Sequence, residues 1–278
     1  MTTRDQVQAA YAQVAKTGSS CCGPASCGPQ ETARKLGYSQ DEVEAGDGAN
    51  LGLGCGNPTA IAELQPGEVV VDLGSGAGFD AILCARKVGP TGRVIGIDMT
   101  PEMLARARAN AARLGLTQVT FREGLIEDLP LRDCAADVVI SNCVINLSTD
   151  KEKVIAEAFR VLRPGGRLRV SDVATMRPIS EESRRSVAAW TACLSGALTT
   201  EEYRSILEQV GFSAIQIEVE SGFGFNELVQ GPDPIAQGVP ESLRSEADAF
   251  VSVRVSATKP AAVACCDPAA KPAKSSCC

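Results

Sequence analysis

Twelve cysteines and no histidine stand in these 278 residues. The commonest general base and zinc ligand is therefore missing, and any chemistry must run on thiolates, carboxylates or a bound cofactor. In a chain this long the thiols read as nucleophiles or soft-metal ligands rather than as the scaffold of a small secreted domain. Cys143 follows Asp137-Val138-Val139-Ile140-Ser141-Asn142, whose apolar centre reads as a buried strand. Ligands of open parallel sheets bind at C-terminal strand ends, so Cys143 is expected to face a cleft; its alternative is a small packing residue. Cys55 sits in Gly54-Cys55-Gly56-Asn57-Pro58. Its glycines offer no surface to pack against, and a close approach of backbone to a ligand accounts for them better. Cys193, in Trp190-Thr191-Ala192-Cys193-Leu194-Ser195-Gly196-Ala197-Leu198, reads either as a site residue or as the buried face of its helix. Cys84, inside a helix, and Cys134, in a polar loop, read as structural.

A second cluster is Asp72-Leu73-Gly74-Ser75-Gly76-Ala77-Gly78, directly after the apolar run Val69-Val70-Val71. Its glycines let the backbone turn sharply toward a ligand, and the helix that follows offers free N–H groups. Dinucleotide enzymes use a similar device. Here the pattern is G-x-G-x-G, with an acid two residues before the first glycine. The next strand ends in Ile97-Asp98-Met99, where a carboxylate can accept hydrogen bonds from both hydroxyls of a ribose. Further on come Gly124-Leu125-Ile126-Glu127-Asp128-Leu129-Pro130, the strand ending at Asn142, and Leu162-Arg163-Pro164-Gly165-Gly166. This ordered set resembles the class I S-adenosylmethionine (SAM)-dependent methyltransferases. The resemblance implies a Rossmann-like, doubly wound sheet with a C-terminal α+β extension. It also implies SAM contacts at Asp72, Gly74, Ser75, Gly76, Gly78, Asp98, Met99, Ile126, Glu127 and Asn142, with Glu127 accepting from the adenine amine.

Gly-Cys-Gly-Asn-Pro before the SAM strand, Ser-Asn-Cys-Val-Ile-Asn-Leu after the fourth strand, and Cys-Leu-Ser-Gly-Ala-Leu further on resemble the bacterial arsenite methyltransferases, over about residues 19–257. On that resemblance Cys55, Cys143 and Cys193 are the thiolates that bind trivalent arsenic, presented as arsenite or as its thiol conjugate. Cys22, or its neighbour Cys21, resembles an N-terminal cysteine that forms a transient disulfide with Cys55; the doublet leaves that choice open. An external thiol reductant, thioredoxin or glutathione, is implied for repeated turnover. The chemistry suits a chain without histidine. Trivalent arsenic on sulfur keeps a lone pair that can attack a methyl group, and no base need remove a proton. Two rival readings are a thiol-rich metalloid-sequestering protein and a methyltransferase for a small organic acceptor such as a quinone or sterol intermediate.

Around these residues the elements order themselves simply. Short strands Val69–Leu73, Arg93–Asp98, Val119–Glu123, Val138–Asn142 and Arg167–Ser171 alternate with helices near 80–88, 100–114 and 151–162, which argues for a doubly wound parallel sheet. Thr100 is placed to cap the second of these helices. Residues 1–48 read as a short helix and a Cys-rich arm, 49–174 as the SAM-binding domain, and 175–259 as a cap. The cap is expected to hold a helix over 179–194, another over 200–210, and strands near 215–220 and 250–256. Residues 260–278, with Cys265-Cys266 and Cys277-Cys278, form a tail of Ala, Lys and Pro too poor in apolar residues to bury a core. Metalloid capture is a use those terminal thiols suggest. A formal net charge of -7 disfavours a nucleic-acid partner. No run reaches the roughly 18 apolar residues of a membrane span, and the N-terminus lacks a secretory apolar core. The expectation is a cytoplasmic monomer away from membranes.

Overall fold

The computed structural model describes residues 2–18, 28–46, 48–220 and 240–262. Among the described residues, four helices precede the sheet: α1 (Thr3–Thr17), α2 (Pro29–Lys35), α3 (Gln40–Ala45) and α4 (Pro58–Ile61). In α1 the Thr2 hydroxyl accepts the Asp5 N–H while the Asp5 carboxylate accepts the Thr2 N–H, a closed capping box. Helices α2 and α3 lie within residues 1–48, where the sequence reading placed one short helix and a Cys-rich arm.

The alternating part follows as β1 (Val69–Leu73), α5 (Phe79–Val88), β2 (Arg93–Asp98), α6 (Pro101–Arg113), β3 (Val119–Glu123), β4 (Ala136–Asn142), α7 (Lys151–Val161) and β5 (Leu162–Thr175). A short 3-10 turn, Ile145–Leu147, links β4 to α7. Strands β1 to β5 pair in parallel in the order β3-β2-β1-β4-β5. The chain thus leaves β1 toward β2 on one side and returns to β4 on the other, which opens a crevice above the C-terminal ends of β1 and β4. Alternation along the strands explains why both faces are covered. Val70, Val94, Val138 and Ile140 pack with Ala81, Cys84 and Leu104 on one face. Val71, Leu73, Ile95, Ile97 and Val139 pack with Ile155, Ala158 and Leu207 on the other.

Beyond β5 come α8 (Glu181–Arg184), α9 (Val187–Thr191), β6 (Leu198–Thr199), α10 (Thr200–Val210), β7 (Ser213–Glu220), α11 (Glu241–Ser245) and β8 (Phe250–Thr258). Strand β8 runs antiparallel to β5, and β7 antiparallel to β8, so the C-terminal part extends the same sheet. The single helix expected over 179–194 is broken into α8 and α9. Ser186 breaks it: its Oγ accepts the Ala189 N–H and starts a new helix. Thr100 makes no side-chain cap; its N–H is taken by Asp98 Oδ1 at 2.8 Å instead. No helix among the described residues is long and apolar enough to cross a membrane. The Cys21–Cys22 doublet and the tail from 263 onward lie outside the described residues.

Candidate active site

A cleft of about 1250 Å³, open solvent included, sits at the crevice between β1 and β4. Each strand end contributes to its wall: Asp72, Gly74, Ser75 and Gly76 from β1, Asp98 and Met99 from β2, Ile126 and Glu127 beyond β3, Asn142 and Cys143 from β4. Gly78 stands just behind, as the left-handed N-cap of α5. Asp98 Oδ2 accepts the Gly76 N–H at 2.9 Å, so the carboxylate holds the glycine loop while keeping lone pairs for a ligand. Burial raises the Asp98 pKa, and the Thr100 and Gly76 N–H groups work against that rise. Asp72 is held well above the usual carboxylate range, first by burial and then by the charges of Asp80 and Asp98. Its Oδ2 has no hydrogen-bond partner, nor does Ser75 Oγ.

Two cleft features come from outside the motifs. Helix α1 closes one side: Arg4 pairs with Glu127 at 3.4 Å and Gln8 Nε2 donates to Met99 O at 2.7 Å. Glu127 Oε1 also accepts the Ser148 hydroxyl at 2.6 Å. On the other side the Tyr38 hydroxyl donates to Asp80 Oδ1 at 2.6 Å. Arg4 and Tyr38 carry no sequence signal, since each is a single polar residue in an amphipathic helix or loop. Asp80 had one: an acid two residues past the glycine loop at the start of a helix.

The thiols are assembled around Asn142. Its amide donates to Gly56 O and Asp80 Oδ2, each at 2.9 Å, and its Oδ1 accepts the Cys55 N–H at 3.0 Å. This draws the Cys55 loop onto the end of β4, where Cys55 and Cys143 are joined as a disulfide with Cα atoms 5.6 Å apart. In this structure Cys55 is paired with Cys143, and the Cys21–Cys22 doublet that the resemblance gives as a transient partner lies outside the described residues. The flanking glycines are explained differently too. A Cβ at Gly54 would lie 2.7 Å from Asn142 Nδ2, and one at Gly56 2.7 Å from Ser171 Cβ. The close approach seen in this structure is to β4 and β5.

Cys193 joins the pair from the cap. Its Sγ donates to Cys143 O at 2.9 Å, and both residues are buried in one apolar cluster, with Cys55 packed against it. Cys143 and Cys193 have φ of +60° and +63°, a left-handed region uncommon for non-glycine residues and found where surrounding structure imposes it. Cys84 is fully buried and its thiol is pushed well up by burial, which fits a packing role. Cys134 is disulfide-bonded rather than merely packed. Behind Cys193 lies a group that the sequence did not announce. Asp172 is fully buried with a pKa raised to about 7 by burial, and Lys151 is lowered to about 8, also by burial. The Lys151 Nζ stands 5.1 Å over the Trp190 ring.

With this geometry in view, the chain matches the family model described as a methyltransferase domain over residues 64–211. The chain belongs to the methyltransferase-domain family. Methyltransferases with more specific names are among its relatives. An arsenite methyltransferase of Halobacterium salinarum is 46% identical over 228 residues, 77% of this chain and 58% of that protein. One from Aquipseudomonas alcaligenes is 40% identical over 220 residues, 75% of this chain and 62% of that protein. The chain therefore spans less than two thirds of the length of these curated relatives. An arsenic(III) SAM methyltransferase structure from Chlamydomonas reinhardtii superposes with a TM-score of 0.60 at 31% identity, covering 84% of this chain and 74% of that one. The methyltransferase fold here is the class I, SAM-dependent one. The cleft suits that cofactor chemically. SAM carries two cationic groups, an ammonium and a sulfonium, and the wall offers three buried carboxylates at Asp72, Asp80 and Asp98, one with an orphaned oxygen.

Proposed function

We propose that this methyltransferase transfers the methyl group of SAM to trivalent arsenic held by Cys55, Cys143 and Cys193. The observation that carries the reading is the convergence of those three thiols in one apolar cluster at the end of β4, where Cys143 also lines the cofactor cleft. Relatives named as arsenite methyltransferases align with about three quarters of the chain at 46% and 40% identity. When bound, SAM supplies an electrophilic methyl group on a positively charged sulfur.

The chain's residues do the rest. Asp98, fixed by the Gly76 and Thr100 N–H groups, would hold the ribose hydroxyls, and Glu127, paired with Arg4, would accept from the adenine amine. Asp72, with Gly74, Ser75, Gly76 and Gly78, shapes the floor; Met99, Ile126 and Asn142 line the remaining wall. The Cys55–Cys143 disulfide must first open: two external thiols, from thioredoxin or glutathione, become one disulfide as the two cysteines become thiols. Arsenite then exchanges each hydroxide for a sulfur, the thiol proton leaving as water, so no protein base is required. The apolar cluster excludes solvent water, and positioning of this kind is worth on the order of 7–11 kcal/mol. Cys22 remains the candidate for thiol exchange with Cys55 between turnovers. In this reading 1–48 is a thiol arm, 49–174 the cofactor domain, 175–259 the arsenic-binding cap and 260–278 a tail. The setting is a monomer in a reducing cytoplasm.

The test is incubation of the purified protein with arsenite, SAM and a dithiol reductant, followed by arsenic speciation. Methylated arsenic that depends on SAM and on the reductant is the expected outcome. SAM binding with no methylated arsenic would overturn the reading in favour of a small organic acceptor.

A further inference from the structure

Among the described residues the cofactor cleft is lined by four acids, Asp72, Asp80, Asp98 and Glu127, and by one cationic side chain, Arg4. Arg4 is paired with Glu127 at 3.4 Å, which leaves the three aspartates without a cation in contact. Lys87 acts on Asp80 only from a distance, since its ammonium is bound to Glu42 at 3.0 Å and to Thr59 O at 3.2 Å.

The aspartates differ in the neutral donors they meet. Asp98 accepts the Gly76 and Thr100 N–H groups. Asp80 accepts on both oxygens, from the Tyr38 hydroxyl at 2.6 Å and the Asn142 amide at 2.9 Å. Asp72, 2% exposed, has an Oδ2 with no hydrogen-bond partner among the described residues. A carboxyl buried in this way, with no cation beside it, keeps its proton more readily than its neighbours do. Burial is the first cause, the charges of Asp80 on α5 and Asp98 on β2 add to it, and the Ala81 N–H opposes them. Tyr38 and Cys84, the other titratable groups facing Asp72, stay neutral because burial pushes both pKa values well up.

Methyl transfer changes the charge of the ligand in this cleft. SAM carries a sulfonium, an ammonium and a carboxylate, and so one net positive charge. Its product, S-adenosylhomocysteine, keeps the ammonium and the carboxylate but has a neutral sulfide. We propose that Asp72 distinguishes SAM from its demethylated product by charge, holding a proton in the empty and product-bound cleft and releasing it when the sulfonium binds. The carboxyl O–H bond breaks, the proton passes to solvent, and the carboxylate left behind offsets the sulfonium. Once the sulfide is neutral, Asp72 takes a proton back. The inference rests on SAM as the cofactor; the identity of the methyl acceptor does not enter it. Between the Asp72 pKa of the SAM complex and that of the product complex, the preference for SAM over product should rise about tenfold per pH unit. Outside that window it should be flat.

The test is titration calorimetry of the full chain with SAM and with S-adenosylhomocysteine, in buffers of different ionisation enthalpy from about pH 6 to about pH 9. It counts the protons released. The SAM complex should hold about one proton fewer than the product complex inside the window. Sinefungin, with an ammonium in place of the methylsulfonium, should behave as SAM does. Asp72→Asn should erase the proton difference. Asp98→Asn should weaken SAM and product alike, since both carry the ribose, and leave a proton difference in place. Melting temperatures report whether each variant folds; if Asp72→Asn does not, the three-ligand proton count and Asp98→Asn carry the test. Equal proton counts for SAM and product across the range would overturn the proposal. So would a difference that survives Asp72→Asn or disappears in Asp98→Asn. Failure of SAM to bind the unaltered protein would overturn the cofactor reading itself.

Discussion

In the proposed reading Asp98 serves the cofactor and the two buried cysteines the acceptor, and substitutions should separate the two. Asp98 accepts from the Gly76 and Thr100 N–H groups and faces the cleft. Asp98→Ala removes the loop's anchor and the carboxylate proposed to hold the ribose. Hydrogen bonds to a charged group contribute about 1.5–3 kcal/mol, so SAM affinity by calorimetry should fall by about one to two orders of magnitude. Cys143→Ser and Cys193→Ser should instead abolish arsenite methylation, because a hydroxyl is a poor ligand for a soft centre. SAM affinity should stay within a few-fold in both, and loss of SAM binding in either would make that cysteine part of the cofactor scaffold.

Among the elements, α1 stands out because it belongs to no motif yet closes the cofactor cleft. Val7, Val14 and Ala15 are buried, and Arg4 and Gln8 reach Glu127 and Met99 across more than ninety positions of sequence. Its capping box starts the helix at Thr3, which brings Arg4 into the first turn beside Glu127. Removal of residues 1–18 should therefore weaken SAM by about tenfold or more and leave the sheet intact by circular dichroism. Unchanged SAM affinity would show α1 to be a bystander. The exposed part of the Arg4–Glu127 pair contributes little by itself, since surface ion pairs are worth about 0–1 kcal/mol. Arg4→Ala alone should cost no more than a few-fold.

For the molecule as a whole, the buried Asp172 ties stability to pH. Its pKa is raised from 3.8 to about 7, chiefly by burial, partly offset by the Val173 N–H and by Lys151. The folded state therefore holds this proton more tightly than the unfolded chain does. The associated stability is fully present below about pH 4 and is lost as pH rises to about 7. A shift of that size corresponds to on the order of 4 kcal/mol. Asp172→Asn keeps an oxygen for the Val173 N–H and removes the charge. Melting temperatures of Asp172→Asn relative to the unaltered protein should be higher at pH 8, with the gap closing toward pH 4. A gap independent of pH would show that Asp172 does not titrate in this window.

The strands and the glycine loop were legible in the sequence because their signals are local. Apolar runs such as Val69–Leu73 and turns such as Gly74–Gly78 need only neighbouring residues to be read, and β1, β2 and β3 have the expected bounds. Cys55, Cys143 and Cys193 were likewise singled out from their immediate surroundings. What could not be read is which of them meet. Cys55 and Cys143 are 88 residues apart, and their pairing is decided by the Asn142 side chain and by Ser171 crowding Gly56. The broken helix at Ser186 and the Arg4 contact are of the same kind. Each depends on where a distant carbonyl or carboxylate ends up, and a linear pattern records periodicity but not the partner of a polar group. Local sequence thus determined the sheet, the glycine loop and which cysteines were candidates, while tertiary packing alone decided the geometry in which those cysteines are brought together.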